Sequence, residues 1–196
     1  MKQGLALFDF DGTITRRDTL FELIKFQKGI VHFYLGIAWL SPLLILHKLH
    51  LLSAQSAKEV VLSFFFCGQP QLVFQQSCDR FISEALPKLL KKEALHAIQK
   101  HKQNNDRIIV VSASAYNWIE GWCQAMNIEL VATKLEFKEG RFTGKLASPN
   151  CNGLEKVNRI KSYINVNEFS TVYAYGNSKG DLPMLQLAAK KFYNTF

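Results

Sequence analysis

Gly4-Leu5-Ala6-Leu7-Phe8-Asp9-Phe10-Asp11-Gly12-Thr13 is the stretch whose reading decides the fold. An apolar run of this length, closed by a Gly-containing turn, predicts a buried strand of a parallel sheet. The C-terminal ends of such strands face the crevice where open α/β sheets bind ligands, so Asp9 and Asp11 are thrust into it. Burying two carboxylates two residues apart is costly unless a cation or a reaction needs them. The pair is a candidate site.

Around it, 196 residues suit one domain with a sizeable insertion, or two small ones, and suffice for a substantial core. A hydrophobic share of 48% with 20% charged residues fits a globular chain and excludes a disordered one. The formal net charge of +8 favours anionic partners: phosphorylated metabolites, nucleic acid or acidic lipid. No arginine-rich tract or aromatic-interleaved basic block stands out, so no nucleic-acid partner is expected. Cys67, Cys78, Cys123 and Cys151 show no C-x-x-C spacing and no histidines in metal-ligand register. They read as reduced, mostly buried residues of a cytoplasmic protein. The first strand follows Met1-Lys2-Gln3 directly, and no signal peptide is expected.

One stretch tests that compartment. Gly29 to His47 carries no Asp, Glu, Lys or Arg. As a helix it would measure roughly 28 Å at about 1.5 Å per residue, close to a bilayer core. Pro42 interrupts it, however, and it separates Asp9 and Asp11 from every later candidate residue. A single crossing would put the halves of the site on opposite sides of a membrane. A buried cap helix, or a surface that leans on a membrane, is expected instead.

The region from about Asp18 to His101 has a helical pattern, broken near Gly29, Pro42, Ser53 and Gly68-Gln69-Pro70 into four or five helices. Asp106 to Val111 predicts a second buried strand with Ser112-Ala113-Ser114 at its end. Tyr116 to Met126 reads as a helix, Glu129 to Thr133 as a short strand, and Lys134 to Lys145 as a hairpin around Glu139-Gly140. Gly153 to Tyr163 and Leu182 to Ala189 predict helices, with a third buried strand at Thr171 to Tyr175. Strands separated by helices imply an α/β fold, a Rossmann-like, mostly parallel sheet flanked by helices. Residues 17–85 are too helical and too long for a plain crossover, and are expected to form an all-helical cap after the first strand. Residues 1–16 and 86–196 would then form the core domain.

Three buried strands end in polar groups: Asp9/Asp11, then Ser112, then Gly176-Asn177-Ser178-Lys179-Gly180-Asp181. Before the last stands Cys151-Asn152-Gly153-Leu154-Glu155-Lys156, with Lys156 in the first turns of a helix. Because strand ends of one sheet open on one edge, these groups can converge. A carboxylate pair, a hydroxyl, a lysine and a further acid suit phosphoryl transfer. Taken singly, each admits a simpler role: Asp11 in an Asp-Gly turn, Ser112 or Asp181 as a helix N-cap, Lys156 as a solvated lysine. His32, His47, His50, His96 and His101 are scattered over the helices, and no role is assigned to them.

In order and spacing, four motifs resemble the haloacid dehalogenase superfamily, in its phosphoserine phosphatase-like branch (subfamily IB). They are Asp9-Phe10-Asp11-Gly12-Thr13, Val110-Val111-Ser112-Ala113-Ser114, Gly153 to Lys156, and Tyr175-Gly176-Asn177-Ser178 to Asp181. The resemblance implies a Mg²⁺-dependent phosphomonoester hydrolase acting through an aspartyl-phosphate. It gives Asp9 as nucleophile, Asp11 as acid and then base, Ser112 as donor to a phosphoryl oxygen, and Lys156 as the charge that offsets nucleophile and phosphate. Gly12, Thr13, Ala113, Ser114 and Asp18 are expected at the substrate. Mg²⁺ would be held by the Asp9 carboxylate, the Asp11 carbonyl, Asn177 and Asp181. Where many relatives carry an Asp after the Gly of the last motif, this chain has Asn177, whose amide oxygen can ligate but brings no charge. Asp181 would then supply the remaining charge, directly or through water.

The phosphoserine-specific relatives place an acid where this chain has Asp18, to meet the substrate amine, and use a cap arginine for its carboxylate. Between Arg17 and Arg80 this chain has no arginine, only Lys25, Lys28, Lys48 and Lys58. A bidentate clamp is not expected, and phosphoserine is not the expected substrate. The primary expectation is a small phosphorylated metabolite. The apolar stretch Ile30 to Leu52 supports a runner-up, a membrane-associated phospholipid phosphatase similar to bacterial relatives that act on phosphatidylglycerophosphate. Peripheral contact with an anionic membrane belongs with it. Asn177 motivates a reading of another class, a phosphate-binding regulatory protein without turnover. The expected assembly is a monomer or homodimer.

Overall fold

The computed structural model describes residues 2–49 and 51–196. The opening run folds as β1 (Leu5–Phe8), buried along its whole length. It pairs in parallel with β2 (Arg107–Ala115) on one side and β6 (Val172–Gly176) on the other. β3 (Glu129–Thr133) and β7 (Lys190–Tyr193) flank these, giving an all-parallel sheet in the order β3-β2-β1-β6-β7. The expected α/β class holds. β7 was not legible, because Lys190-Lys191-Phe192-Tyr193 at the sheet edge shows no apolar run.

Between β1 and β2 the chain inserts four helices, α1 (Thr19–Lys28), α2 (Ile30–Lys48), α3 (Ala54–Phe66) and α4 (Gln71–Glu84), before α5 (Lys92–Gln103) returns to the sheet. The expected breaks at Gly29, Ser53 and Gly68-Gln69-Pro70 are present, but the break at Pro42 is not: α2 runs through it. Proline there lacks the N–H that would bond the Ala38 carbonyl. Ser41 Oγ donates to that carbonyl at 2.8 Å instead, which satisfies the freed acceptor. The hairpin of β4 (Leu135–Lys138) and β5 (Arg141–Leu146) turns at Glu139 and Gly140, both at positive φ. It packs on the inserted helices: Phe142 exchanges backbone hydrogen bonds with Gly68 and Gln69, and its ring stacks on Phe74.

Side chains of β1 alternate between two cores. Ala6 and Phe8 face one with α5, α6 (Glu120–Ala125) and the inserted helices. Leu5 and Leu7 face the other with α7 (Leu154–Tyr163) and α8 (Leu182–Gln186). Covering both faces is why β1 and β2 read as unbroken apolar runs. The helix expected over Tyr116 to Met126 divides into a 3₁₀ turn, Tyr116–Trp118, and the short α6. Phe8, Tyr175 and Phe192 stack with ring centroids 4.2 and 4.4 Å apart, bracing the neighbouring strands. Of the histidines, His50 lies outside the described residues, and His101 is a buried core residue between Asp106 (2.7 Å) and the Tyr175 hydroxyl (2.9 Å).

Candidate active site

The site forms where β1, β2 and β6 end. After β1 the backbone wraps around the Phe10 carbonyl, which accepts from the N–H groups of Thr13, Ile14 and Thr15. Gly12 holds φ +81°, and a Cβ there would lie 2.2 Å from Asn177 Nδ2. Only glycine lets this turn come so close to the loop after β6.

Lys156, in the first turn of α7, is 1% exposed. Its Nζ donates to Asp9 Oδ1 (2.6 Å), Asp181 Oδ1 (2.6 Å) and the Val111 carbonyl (2.8 Å), so all three of its protons are placed. Burial would discharge this ammonium; the two carboxylates outweigh burial and hold its pKa above the ordinary lysine value. Burial likewise works against the charge on Asp181, but Lys156 and Ser178 more than offset it and hold that carboxyl low. Burial pushes the Asp9 carboxyl up to about 6, against the pull of Lys156. One ammonium shared by two carboxylates leaves the cluster short of positive charge.

Asp11 is held differently. Its Oδ1 accepts from the Thr19 N–H at 2.8 Å, at the start of α1, and Ser114 Oγ donates to its Oδ2. Thr19 Oγ1 in turn lies 3.0 Å from Ser114 Oγ and accepts from Trp118 Nε1 at 3.0 Å. Burial, aided by the Asp18 charge, pushes the Asp11 carboxyl up to about 6 despite these donors. It is thereby an acid with an appreciable protonated fraction near neutral pH.

The oxygens suited to a hard cation lie beside Asp9. Thr13 Oγ1 donates to Asp9 Oδ2 (3.1 Å) and to Asn177 Oδ1 (3.2 Å), so one hydroxyl spans both acceptors. A carboxylate and an amide oxygen this close, next to a cluster with excess negative charge, fit Mg²⁺ by donor chemistry. Asp181 stands apart from that pair: its Oδ2 accepts from the backbone N–H of Asn177 and Ser178 and from the Ser178 hydroxyl. Among the described residues no three His, Cys, Asp or Glu side chains group as a metal cage. The oxygens brought together here are those of Asp9 and Asn177, and the Asp181 carboxylate next to them is turned to Lys156 and the loop.

A cavity of about 190 Å³ opens among Asp9, Asp11, Asp18, Lys58, Lys156 and Asp181. A larger hollow of about 680 Å³ lies around Asp106 and Arg107, at the opposite end of β2, and holds no such carboxylate–lysine cluster. Asp18 borders the site cavity and also caps α1, accepting from the N–H groups of Leu20 and Phe21. Ser112 is fully buried, and its hydroxyl accepts from the Ser114 N–H at 3.0 Å; Ala113 and Ser114 border the cavity. Neither simple N-cap role applies: Ser112 lies inside β2, and the Asp181 side chain makes no capping bond to α8. Lys156 is no solvated lysine.

Sequence reasoning missed three contributors. Lys58, on α3, donates to the Ala113 carbonyl (2.8 Å) and to Asn150 Oδ1 (3.0 Å) at the cavity wall. No motif marks it, and nothing local separates it from the other lysines of the insertion. Thr19 and Trp118, which fix Asp11 through Ser114, were equally unmarked.

The model of the haloacid dehalogenase-like hydrolase family matches residues 6–186. The chain is 27% identical over 194 residues to Protein CicA of Caulobacter vibrioides (strain NA1000 / CB15N), covering 98% of this chain and 86% of that protein. Among solved structures it is similar to a protein of unknown function from Bordetella pertussis Tohama I, with a TM-score of 0.84 and 20% identity over 97% of this chain and 89% of that one. It is also similar to a phosphoserine phosphatase solved as an analogue of its phospho-aspartyl intermediate. There the TM-score is 0.66 and the identity 19%, over 97% of this chain and 86% of the other.

Proposed function

The chain belongs to the haloacid dehalogenase-like hydrolases, with the fold of phosphoserine phosphatases, and from that premise we propose that it cleaves phosphomonoesters of small metabolites through an aspartyl-phosphate. The observation that carries this reading is the contact of Lys156 with both Asp9 and Asp181 at a cavity that Asp11 also lines.

In this reading Asp9 attacks phosphorus, an Asp9–phosphorus bond forms, and the ester P–O bond breaks. Asp11 gives its proton to the departing oxygen, which leaves as the alcohol. Asp11, now a carboxylate, takes a proton from water as that water attacks phosphorus, releasing phosphate and restoring Asp9. Lys156 and the hydroxyls of Ser112 and Thr13 offset charge on the phosphoryl oxygens. Mg²⁺, held by Asp9, Asn177 and the Asp11 carbonyl, would supply further neutralisation of that charge. Residues 17–85 act as a cap over a core of residues 1–16 and 86–196, and Lys58 brings the cap's positive charge to the cavity. Gly12, Ala113, Ser114 and Asp18 border the substrate. We read the compartment as cytoplasmic, in keeping with four cysteines that are all unpaired.

A phosphomonoester carried on a lipid is the second reading, favoured by the exposed apolar side of α2. Magnesium-dependent release of phosphate across a panel of sugar, amino-acid, nucleotide and lipid phosphates tests both. No turnover of any of them would leave a phosphate-binding protein without catalysis.

A further inference from the structure

The described residues contain one helix long and apolar enough to cross a membrane, α2, with a mean hydropathy of 1.7. A helix apolar on all sides belongs in a core or in lipid. Yet only 17% of this one is buried. The buried stripe is Phe33, Gly36 and Leu40, spaced three and four residues apart. It packs on α3, where a Cβ on Gly36 would meet the Phe65 ring at 2.4 Å, and on Phe21 of α1. That stripe holds α2 along the side of the fold, so the helix cannot leave to cross a bilayer without losing those contacts.

Away from the stripe, Val31, Leu35, Trp39, Ile45 and Leu49 are all more than half exposed, Trp39 most of all at 78%. An apolar strip along a 19-residue helix is more than the scattered exposed residues normal for a soluble surface. Charge says what covers it. From Leu23 to Lys58 the chain has no Asp or Glu, while Lys28 stands before the helix and Lys48 at its end. Lys48 is exposed and Lys28, at the end of α1, is half-buried over the Phe66 ring. Positive charge at both ends of an apolar strip that carries Trp39 and Tyr34, with no acid between them in sequence, suits a helix lying at the head-group level of an anionic bilayer. A second copy fits less well. Packed antiparallel it would bring Lys28 against Lys48, and packed parallel each lysine against its twin.

We propose that α2, with Leu49 just past its end, is a docking helix that lies on anionic lipid bilayers through Val31, Leu35, Trp39, Ile45 and Leu49. The docking stands whatever phosphomonoester the site cleaves. The test is flotation of the full chain with vesicles of phosphatidylcholine alone or mixed with phosphatidylglycerol, at low and high salt. Wild type is expected to float with the mixed vesicles, less so at high salt, with a blue shift of Trp39 emission. The double variant Leu35→Glu/Trp39→Glu should lose at least about tenfold in vesicle affinity, since two carboxylates would have to enter the acyl boundary. Its circular dichroism and p-nitrophenyl phosphate hydrolysis should match wild type, because both side chains are exposed and neither lines the cavity. Wild type remaining in the soluble fraction, a variant that floats equally well, or a wild-type dimer that the variant abolishes without any flotation would each overturn the proposal. Failure to hydrolyse p-nitrophenyl phosphate would sink the hydrolase reading and leave the flotation result standing.

Discussion

Lys156 and Asp9 are 147 residues apart in sequence and hydrogen bonded at 2.6 Å in a place where neither meets solvent appreciably. A buried ammonium with three placed protons cannot be removed without orphaning its partners. Lys156→Met should therefore destabilise the fold by about 3–5 kcal/mol, because two carboxylates are left buried without a counter-charge. Urea denaturation measures this, and a loss under about 1 kcal/mol would show that the carboxylates find other compensation.

Magnesium should stabilise the protein in a pH-dependent way. Asp9 and Asp11 both rise from an ordinary value of 3.8 to about 6 in the fold. Groups raised in this way contribute stability that is whole below about pH 4 and is lost as pH climbs through about 6. A cation bound beside these carboxylates competes with their protons and offsets that loss. The rise in Tm with added Mg²⁺ should be several degrees at about pH 7.5 and near zero at about pH 5. A rise equal at both pH values would place the metal elsewhere.

Phosphoserine should be turned over no faster than other small phosphomonoesters. The cavity's cation from the inserted helices is Lys58, whose ammonium already serves the Ala113 carbonyl and Asn150. A point charge so engaged cannot grip a carboxylate as a planar, forked guanidinium would. Comparison of kcat/KM over a substrate panel decides it, and a clear preference for phosphoserine would contradict this account of the cavity.

Native alkylation should label one thiol of four. Cys67 is exposed, whereas Cys78, Cys123 and Cys151 are buried. Burial pushes the Cys123 thiol up to about 12 and raises the other two as well, so none of the three offers a thiolate at neutral pH. Mass spectrometry after brief iodoacetamide treatment should find label on Cys67 alone, and fast labelling of Cys151 would mean that the packing around α7 opens readily.

Much of this arrangement was legible in the sequence because burial on both faces leaves an unbroken apolar signature. Leu5 to Phe8 and Ile108 to Val111 could be read as strands for that reason, and their polar ends pointed to the crevice. What was hidden depends on contacts that leave no periodicity. β7 carries two lysines on a sheet edge. Pro42 reads as a break, but Ser41 supplies the missing donor and the helix continues. Lys58, Thr19 and Trp118 reach the site by tertiary packing, and nothing local distinguishes them from surface or core residues of the same type. Asp181 was legible as part of the site, but its saturated carboxylate, turned to Lys156 and Ser178, was not.

The proposed hydrolysis turns on Asp9 being the nucleophile at the meeting point of three strands. Mass spectrometry of protein quenched during turnover of p-nitrophenyl phosphate with Mg²⁺ tests that most directly. A phosphoryl group on the peptide containing Asp9, absent from Asp9→Asn along with all hydrolysis, is the predicted result. Hydrolysis that persists in Asp9→Asn, or a phosphoryl group on another residue, would contradict it.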